Sequence, residues 1–322
     1  MTTHSRFSIA RAVPPEVAVE LAARHISAAS LDLRAGQAVL SAHATEPLPA
    51  GALVPGLTAP NVADRAAVSE ALARVLEKVG RPRRVGLIIP DPCTKVSFVR
   101  FEHVPARSQD LDQLIRWQVR KAAPFAIEEA QVSHVRGLRT DEGQEFIVTL
   151  AKRDIIREYE GLLSAAGAHA GLVDICTFNV INAVLSGANA PSADWLLVNV
   201  AADYASISIL RGGQLMFFRS RVAENEGTLT DLVHQTAMYY QDRLKGEGLS
   251  RVLISGAAAS QSPQATDVEQ VRRSLQDRLS TAVETVDPRS AVTLTDRIVA
   301  APAFLDTLAP VVGLLLRGRE AA

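Results

Sequence analysis

LLVNVAADYASIS, residues 196–208, reads as a buried apolar strand, a turn of small residues and a second strand of alternating polarity. Apolar runs and period-two alternation are typical of strands, and small residues suit the tight turn between them. Residues 209–218 continue through a glycine turn into a third apolar run. The sequence therefore predicts an antiparallel three-stranded meander that begins near Leu196.

A second copy of this pattern lies near the N-terminus. VAVELAARHISAASLDLRAGQAVL, residues 17–40, aligns with residues 196–218 so that Glu20 matches Asn199 and Ala22 matches Ala201. After two extra residues in the first copy, the glycines of the last turn also align, and glycine accepts the positive φ that such turns need. The repetition predicts two similar halves that each open with a meander; a chance match of short strands is the alternative.

The segments behind the two meanders divide the chain further. Residues 186–194 are small, polar and broken by a proline, as is typical of a connector. Residues 85–150 read as two strands, a helix and two more strands, which predicts a small inserted α+β unit. The predicted division follows. Residues 1–84, 151–190 and 300–322 form the first half, 85–150 the inserted subdomain, and 191–299 the second half.

Composition restricts the class of protein. With 48% apolar and 21% charged residues in 322 positions, the chain can bury the cores of two domains. A formal net charge of −1 disfavours a nucleic-acid binder, and two cysteines without a CxxC companion disfavour a disulfide scaffold or a zinc site. No signal-peptide core and no apolar run of about 20 residues is visible, so we expect a cytoplasmic protein.

Common catalytic and metal-binding motifs are missing from the sequence. It has no Walker A, GxSxG or HExxH run, and no two of its seven histidines have helical i, i+4 spacing. The segment 91–93, Asp-Pro-Cys, offers a possible nucleophile, but a turn between two strands is the preferred interpretation. We therefore expect no metal site and no catalytic residue.

The helix expected at residues 111–123 carries a candidate contact surface. Its apolar positions share one face, whereas Trp117 lies on the polar side beside Arg120 and Lys121. A tryptophan framed by cations is typical of a partner contact, and packing against a neighbouring subdomain is an equal alternative. Phe125 either extends this surface or fills the core of the inserted unit.

Taken in order, these segments resemble the actin-like ATPase superfamily, and more closely the type IV pilus assembly protein PilM family, a relative of the division protein FtsA. The resemblance rests on the unit inserted into the first half and on three stretches: LDQLIRWQVRKAAPFAIEEAQVSHV (111–135), LLSAAGAHAGLVDI (162–175) and APVVGLLLRG (309–318). It implies a duplicated actin-like (ribonuclease H-like) two-domain α/β fold with an inserted α+β subdomain. The secretion protein GspL is a related alternative.

The same resemblance implies ATP and Mg²⁺ in a cleft between the halves, held by two hairpins and a late glycine-rich loop. This sequence departs from that pattern at all three places. The residues there are Glu20 and Ala22, Asn199 and Ala201, and Gly256 followed by Ala257. Loss of an aspartate weakens cation binding, and an alanine methyl hinders the approach of backbone N–H groups to phosphate. We expect a retained fold with a degenerate site, where ATP and Mg²⁺ bind weakly or not at all.

By this resemblance the protein is a cytoplasmic scaffold of a type IV pilus or related type II secretion-like machine. It would bind the cytoplasmic N-terminal peptide of a PilN-like single-pass inner-membrane protein in a groove beside the inserted subdomain. Through that partner it would attach peripherally to the inner membrane, next to other platform proteins. The alternatives are an active actin-like ATPase and a nucleotide-dependent filament-forming protein.

Overall fold

In the computed structural model of the protein, residues 15–222, 229–258, 268–279, 281–295 and 301–317 are described. This part of the chain forms fourteen strands and seven α-helices, and the strands make three sheets. None of these seven helices is long and apolar enough to cross a membrane.

A six-stranded mixed sheet forms the core of the first half. Its strands are β1 (Val17–Leu21), β2 (His25–Arg34), β3 (Gln37–Pro47), β4 (Arg84–Ile89), β8 (His169–Ile175) and β14 (Thr293–Leu294), in the order β14-β3-β2-β1-β4-β8. Strands β1 to β3 pair antiparallel, whereas β4 runs parallel to β1 and β8 parallel to β4. The predicted first meander is confirmed.

A five-stranded sheet in the second half repeats this topology. Its strands are β9 (Asp194–Val200), β10 (Tyr204–Arg211), β11 (Gln214–Val222), β12 (Arg251–Ser255) and β13 (Val283–Thr285), in the order β11-β10-β9-β12-β13. Glu20 on β1 pairs with Ser27 in the next strand, and Asn199 on β9 pairs with Ser206 in the same way. The predicted duplication is therefore confirmed in topology and in register.

The inserted unit is a three-stranded sheet covered by one helix. Its strands are β5 (Thr94–Phe101), β6 (Ala130–Thr140) and β7 (Gly143–Lys152), in the order β5-β7-β6, and the helix is α2 (Ser108–Val119). Val148 and Leu150 of β7 share a buried apolar cluster with Ile115 of α2, whereas Ile147 belongs to the core of the first half. Because successive strand residues point to opposite faces, this sheet lies between α2 and the first half.

The predicted inserted unit begins one strand too early. Residues 85–89 belong to β4, which pairs with β1 and β8 in the six-stranded sheet, so the three-stranded sheet starts at Thr94. Strand β14 likewise pairs with β3 in the first sheet, whereas the sequence predicts that residues 191–299 all belong to the second half. An apolar strand pattern does not identify the partner strand, since partners are set by long-range packing. The remaining domain bounds stay a proposal.

Six further helices surround the sheets. They are α1 (Arg65–Lys78), α3 (Arg153–Ala165), α4 (Cys176–Ser186), α5 (Leu229–Arg243), α6 (Val268–Leu279) and α7 (Pro302–Leu316). Helix α7 is buried from Thr307 to Leu316 and packs against α4 and the first sheet. Gly313 permits the close approach to α4, because a Cβ there would overlap the carbonyl of Asn179.

Candidate functional site

The turns of the two meanders face each other across a cleft between the halves. The predicted residues Glu20, Ala22, Asn199, Ala201 and Gly256 line it, together with Cys176 of α4 and Asp306 and Pro310 of α7. Ala257, the sixth predicted residue, is buried behind the cleft in the apolar cluster of the second half. The cavity has a volume of about 40 Å³, whereas pockets for small molecules typically enclose roughly 300–1,000 Å³.

Both carboxylate oxygens of Glu20 already have protein neighbours. Glu20 is buried, and its Oε2 accepts a hydrogen bond from Ser27 Oγ at 3.2 Å while Oε1 accepts one from Cys176 Sγ at 3.2 Å. Nε2 of His25 lies 3.6 Å from Oε2. Burial raises the pKa of the Cys176 thiol well above its ordinary value, so the thiol stays protonated and donates. This acid is therefore held by the protein rather than presented to a ligand.

Asn199 uses its amide to connect the second sheet to α4. Its Nδ2 donates to Thr177 Oγ1 at 2.9 Å and lies 3.5 Å from Cys176 Sγ. A carboxylate at this position would have no hydrogen to donate. The asparagine thus makes a structural contact between β9 and the first turn of α4 that an aspartate could not make.

Asp91, which lies in the segment where the sequence favours a turn over a nucleophile, joins the two halves. The predicted turn is confirmed as a short 3₁₀ helix, and Asp91 within it is fully buried. Its Oδ1 accepts from the backbone N–H of Thr177 at 3.0 Å, and its Oδ2 accepts from the hydroxyls of Thr177 and of Ser206 on β10. Burial raises the pKa of Asp91 to about 6 despite these bonds. No local sequence signal marks this role, because Thr177 and Ser206 lie 86 and 115 positions away.

The loop after β12 packs directly against the end of β9 and against α7. Gly256 has φ +79°, and a Cβ there would overlap the carbonyl of Val200, so this glycine is required by backbone packing. The backbone N–H of Ala258 donates to Asp306 Oδ2 of α7 at 2.7 Å. In the described ranges, no group of three or more His, Cys, Asp or Glu side chains is placed to hold a metal ion.

A larger groove of about 470 Å³ lies between the three-stranded sheet and the first half. We call it the β8 groove. It is lined by Gln131, Ser133, Thr149 and Ala151 of the sheet, by Arg157 and Glu160 of α3, and by residues 170–175 of β8. Six consecutive residues of β8 reach it, so the groove follows the edge of this strand rather than one face. Strand β8 is the last strand on this side of its sheet.

The candidate contact residues of α2 lie on the other side of the inserted sheet. Thr149 faces the β8 groove, whereas Val148 beside it on β7 faces α2. Trp117 on the outer surface of α2 is 70% exposed, and Arg120 and Lys121 next to it are exposed as well. Phe125 is separate from them, because it packs against the core of the inserted unit. Three of the four predicted contact residues therefore share one surface.

Comparison with solved structures places this architecture among known folds. A structure described as the PilM-PilN type IV pilus biogenesis complex is 18% identical and matches with a TM-score of 0.78 over 97% of this chain and 100% of that chain. The cytoplasmic domain of EpsL, an inner membrane component of the type II secretion system of Vibrio cholerae, is 13% identical, with coverage of 74% and 80% and a TM-score of 0.47. A Bacteroides thetaiotaomicron protein with an actin-like ATPase fold and unknown function is 11% identical, with coverage of 88% and 93% and a TM-score of 0.47.

The family comparison agrees with the topology. The duplicated sheets with a cleft between them form a two-domain actin-like fold. The sequence profile of the type IV pilus assembly protein PilM matches residues 18–240, which is more than half of the chain. This chain therefore belongs to the type IV pilus assembly protein PilM family.

Proposed function

We propose that this protein is a scaffold of a type IV pilus assembly machine that binds an extended peptide in the β8 groove. The observation that carries the proposal is the open edge of β8 along a groove of about 470 Å³. The peptide would be the cytoplasmic N-terminal tail of a PilN-like inner-membrane protein, and it would hold the scaffold at the cytoplasmic face of that membrane beside other platform proteins. The PilM-PilN name of the matching solved complex supports this partner.

The shape of the β8 groove favours an extended chain over a compact ligand. Strand β8 has seven residues, which at roughly 3.3 Å per residue gives an edge about 20 Å long. A peptide strand can add to such an edge through backbone hydrogen bonds, while side-chain pockets supply specificity. Ser133 and Thr149 of the opposite wall and Arg157 and Glu160 of α3 offer polar contacts at intervals along the groove.

We further propose that the cleft between the halves is a degenerate nucleotide site without ATPase activity. A cavity of about 40 Å³ is far smaller than a nucleotide. The residues at the expected metal-binding and phosphate-binding positions are engaged elsewhere, since Glu20 accepts from Ser27 and Cys176 and Asn199 donates to Thr177. Phosphoryl transfer depends on exact placement of metal and phosphate, so this arrangement disfavours both binding and hydrolysis.

Peptide binding is tested by calorimetry with a synthetic PilN-like tail. Ser133→Trp places a large side chain in the β8 groove and should weaken binding at least tenfold. Arg139→Trp, at an exposed position of the same strand β6 outside the groove, is the matched control and should bind like wild type. Trp117→Ala should also leave the affinity unchanged, because Trp117 lies on the other side of the inserted sheet from the groove. Wild-type affinity in a folded Ser133→Trp variant would reject the groove as the site.

The degenerate cleft is tested with Mg-ATP. A ligand at 100 times its Kd stabilises the folded state by about 2.7 kcal/mol, so a functional site would raise Tm clearly at millimolar nucleotide. We expect no such rise and no phosphate release. Stabilisation together with hydrolysis would favour the active ATPase, and nucleotide-dependent light scattering would favour the filament-forming alternative.

A further inference from the structure

The outer surface of α2 exposes an aromatic side chain that the proposed function leaves without a role. Trp117 is 70% exposed, more than any other large apolar side chain in the described residues. The opposite side of the helix is the packed one, because Leu111, Ile115 and Val119 are buried against the inserted sheet. An indole left in water on a helix that already buries its apolar face is a candidate for contact with something outside the chain.

The surroundings of Trp117 are cationic. Arg120 and Lys121 follow within one turn on the same side, with Arg116 at its flank, and none of the three has an ion-pair partner within the described part of the chain. No acidic residue occurs from 113 to 123. Along α2 the nearest acid on the same face is Asp110, seven residues before Trp117 and about 10 Å away at 1.5 Å per residue.

Two simpler accounts explain only part of this surface. Cations in the last turn of a helix complement its dipole, which accounts for Arg116 and Arg120 but not for an exposed tryptophan. Overall attraction to anions is also insufficient, since the net charge of the chain is −1. An exposed tryptophan beside long cationic side chains without ion-pair partners is typical of surfaces that bind at the headgroup level of a bilayer.

We propose that Trp117, Arg120 and Lys121 form a surface that contacts a bilayer containing anionic phospholipid. Indole lies among the headgroups, and the two cations approach lipid phosphates. This goes beyond the proposed function and holds whether or not the β8 groove takes a peptide. Each basic residue near such a membrane contributes only about 1 kcal/mol, or about a fivefold change in partitioning, so this contact alone is weak. Together with a tethering peptide it would act at high effective concentration.

Intrinsic fluorescence gives a direct test, because the chain has two tryptophans and the other, Trp195, is fully buried and donates to the carbonyl of Gly212. The probe is unilamellar vesicles of phosphatidylcholine with about 30% phosphatidylglycerol, compared with phosphatidylcholine alone. We expect a blue shift of Trp117 emission and co-flotation with the anionic vesicles only, both reduced by raising salt from about 0.05 to 0.5 M. Trp117→Phe should abolish the shift.

Charge variants distinguish binding through this surface from general attraction between the protein's cations and an anionic membrane. Arg120→Gln with Lys121→Gln should lower vesicle partitioning about 25-fold, at fivefold for each cation. Arg136→Gln with Arg139→Gln removes two exposed cations from β6 of the same subdomain and should change it little. Equal binding to neutral and anionic vesicles, or equal loss in both double variants, would overturn the proposal. So would a Trp117 shift produced by poly-glutamate but not by vesicles, which would indicate an acidic protein partner.

Discussion

Replacing Asp91 with asparagine tests the buried joint between the halves. The pKa of Asp91 is raised to about 6, because burial disfavours the carboxylate more than the hydrogen bonds from Ser206 and Thr177 favour it. When the pKa of an acid is higher in the folded than in the unfolded state, its protonation stabilises the folded protein. This stabilisation is complete below the pKa of the unfolded state and is lost as the pH rises through the pKa of the folded state. Asp91 should therefore add stability to the wild-type protein when the pH falls from 7 to 5.

The magnitude follows from the two pKa values of Asp91. With an ordinary value of 3.8 and a folded value of about 6, the folded carboxyl goes from about one-tenth to about nine-tenths protonated between pH 7 and 5, whereas the unfolded one stays ionised. Linkage then gives about 1 kcal/mol of added stability at pH 5. Asp91→Asn should lose this gain, because the amide does not titrate but still offers an oxygen to the N–H of Thr177.

Urea unfolding followed by circular dichroism at pH 7 and pH 5 measures this difference. For each protein, the free energy of unfolding at pH 7 is subtracted from that at pH 5, and this difference is compared between wild type and the variant. Asp110→Asn, at an exposed position of α2, is the control and should behave like wild type. Asp91→Ala should instead cost about 2–3 kcal/mol at pH 7, because it leaves the buried N–H of Thr177 unpaired, and about 1 kcal/mol more at pH 5, because the variant also lacks the gain from protonation of Asp91. If Asp91→Asn gains as much stability at pH 5 as wild type, the buried carboxyl does not titrate in this range and the reasoning fails.

Three other substitutions test packing and charge elsewhere in the first half. Burial, with a smaller contribution from His25, lowers the pKa of His43 to about 4. The stability that the neutral imidazole contributes is fully present above pH 6.5 and is lost as the pH falls, because the unfolded chain then binds a proton that the folded protein does not. In the same urea titrations, the free energy of unfolding of His43→Phe should therefore fall by about 2 kcal/mol less than that of wild type between pH 7 and 5. Gly313→Ala should destabilise by about 3 kcal/mol, because its Cβ would overlap the carbonyl of Asn179; an unchanged Tm in calorimetry would contradict the close contact of α4 and α7. Arg317→Ala removes the cation 2.7 Å from buried Asp174 and should cost about 3–5 kcal/mol of stability at pH 7. The loss should be smaller in acid, where Asp174 can protonate. An equal loss at pH 4 and pH 7 would argue against an uncompensated charge on Asp174.

Local pattern was enough to predict the repeated part of the fold. The two meanders follow from apolar alternation and small turns, and the pairing of Glu20 with Ser27 and of Asn199 with Ser206 confirms their equivalent registers. The exposed position of Trp117 also followed from helical periodicity, since Ile115 and Val119 on the other face are buried. These features depend on neighbours within a few residues, which a sequence displays directly.

Features that depend on distant neighbours were not predictable. The sequence of β4 does not reveal that it joins β1 rather than β5, because both choices satisfy its apolar pattern. The role of Asp91 requires Ser206, 115 positions away, and Thr177, 86 positions away. The β8 groove likewise forms only where the inserted sheet meets a strand edge from another part of the chain. Sites assembled by tertiary packing carry little local signal.

Contacts across the cleft favour a fixed arrangement of the two halves. Asp91 after β4 accepts from Ser206 on β10, and Asp306 of α7, which lines the small cavity, accepts from Ala258 after β12, so two hydrogen bonds to acidic side chains join the halves. A nucleotide cycle needs the halves to open and close, and each opening would break these two hydrogen bonds to acidic groups, one buried and one partly buried, at about 1.5–3 kcal/mol apiece. A scaffold has the opposite requirement, because surfaces that engage a peptide and a bilayer together must keep a constant separation. The cleft contacts fix the second half against the first, whereas the β8 groove and the outer face of α2 both lie on the first half and its inserted unit and keep their separation through the inserted sheet.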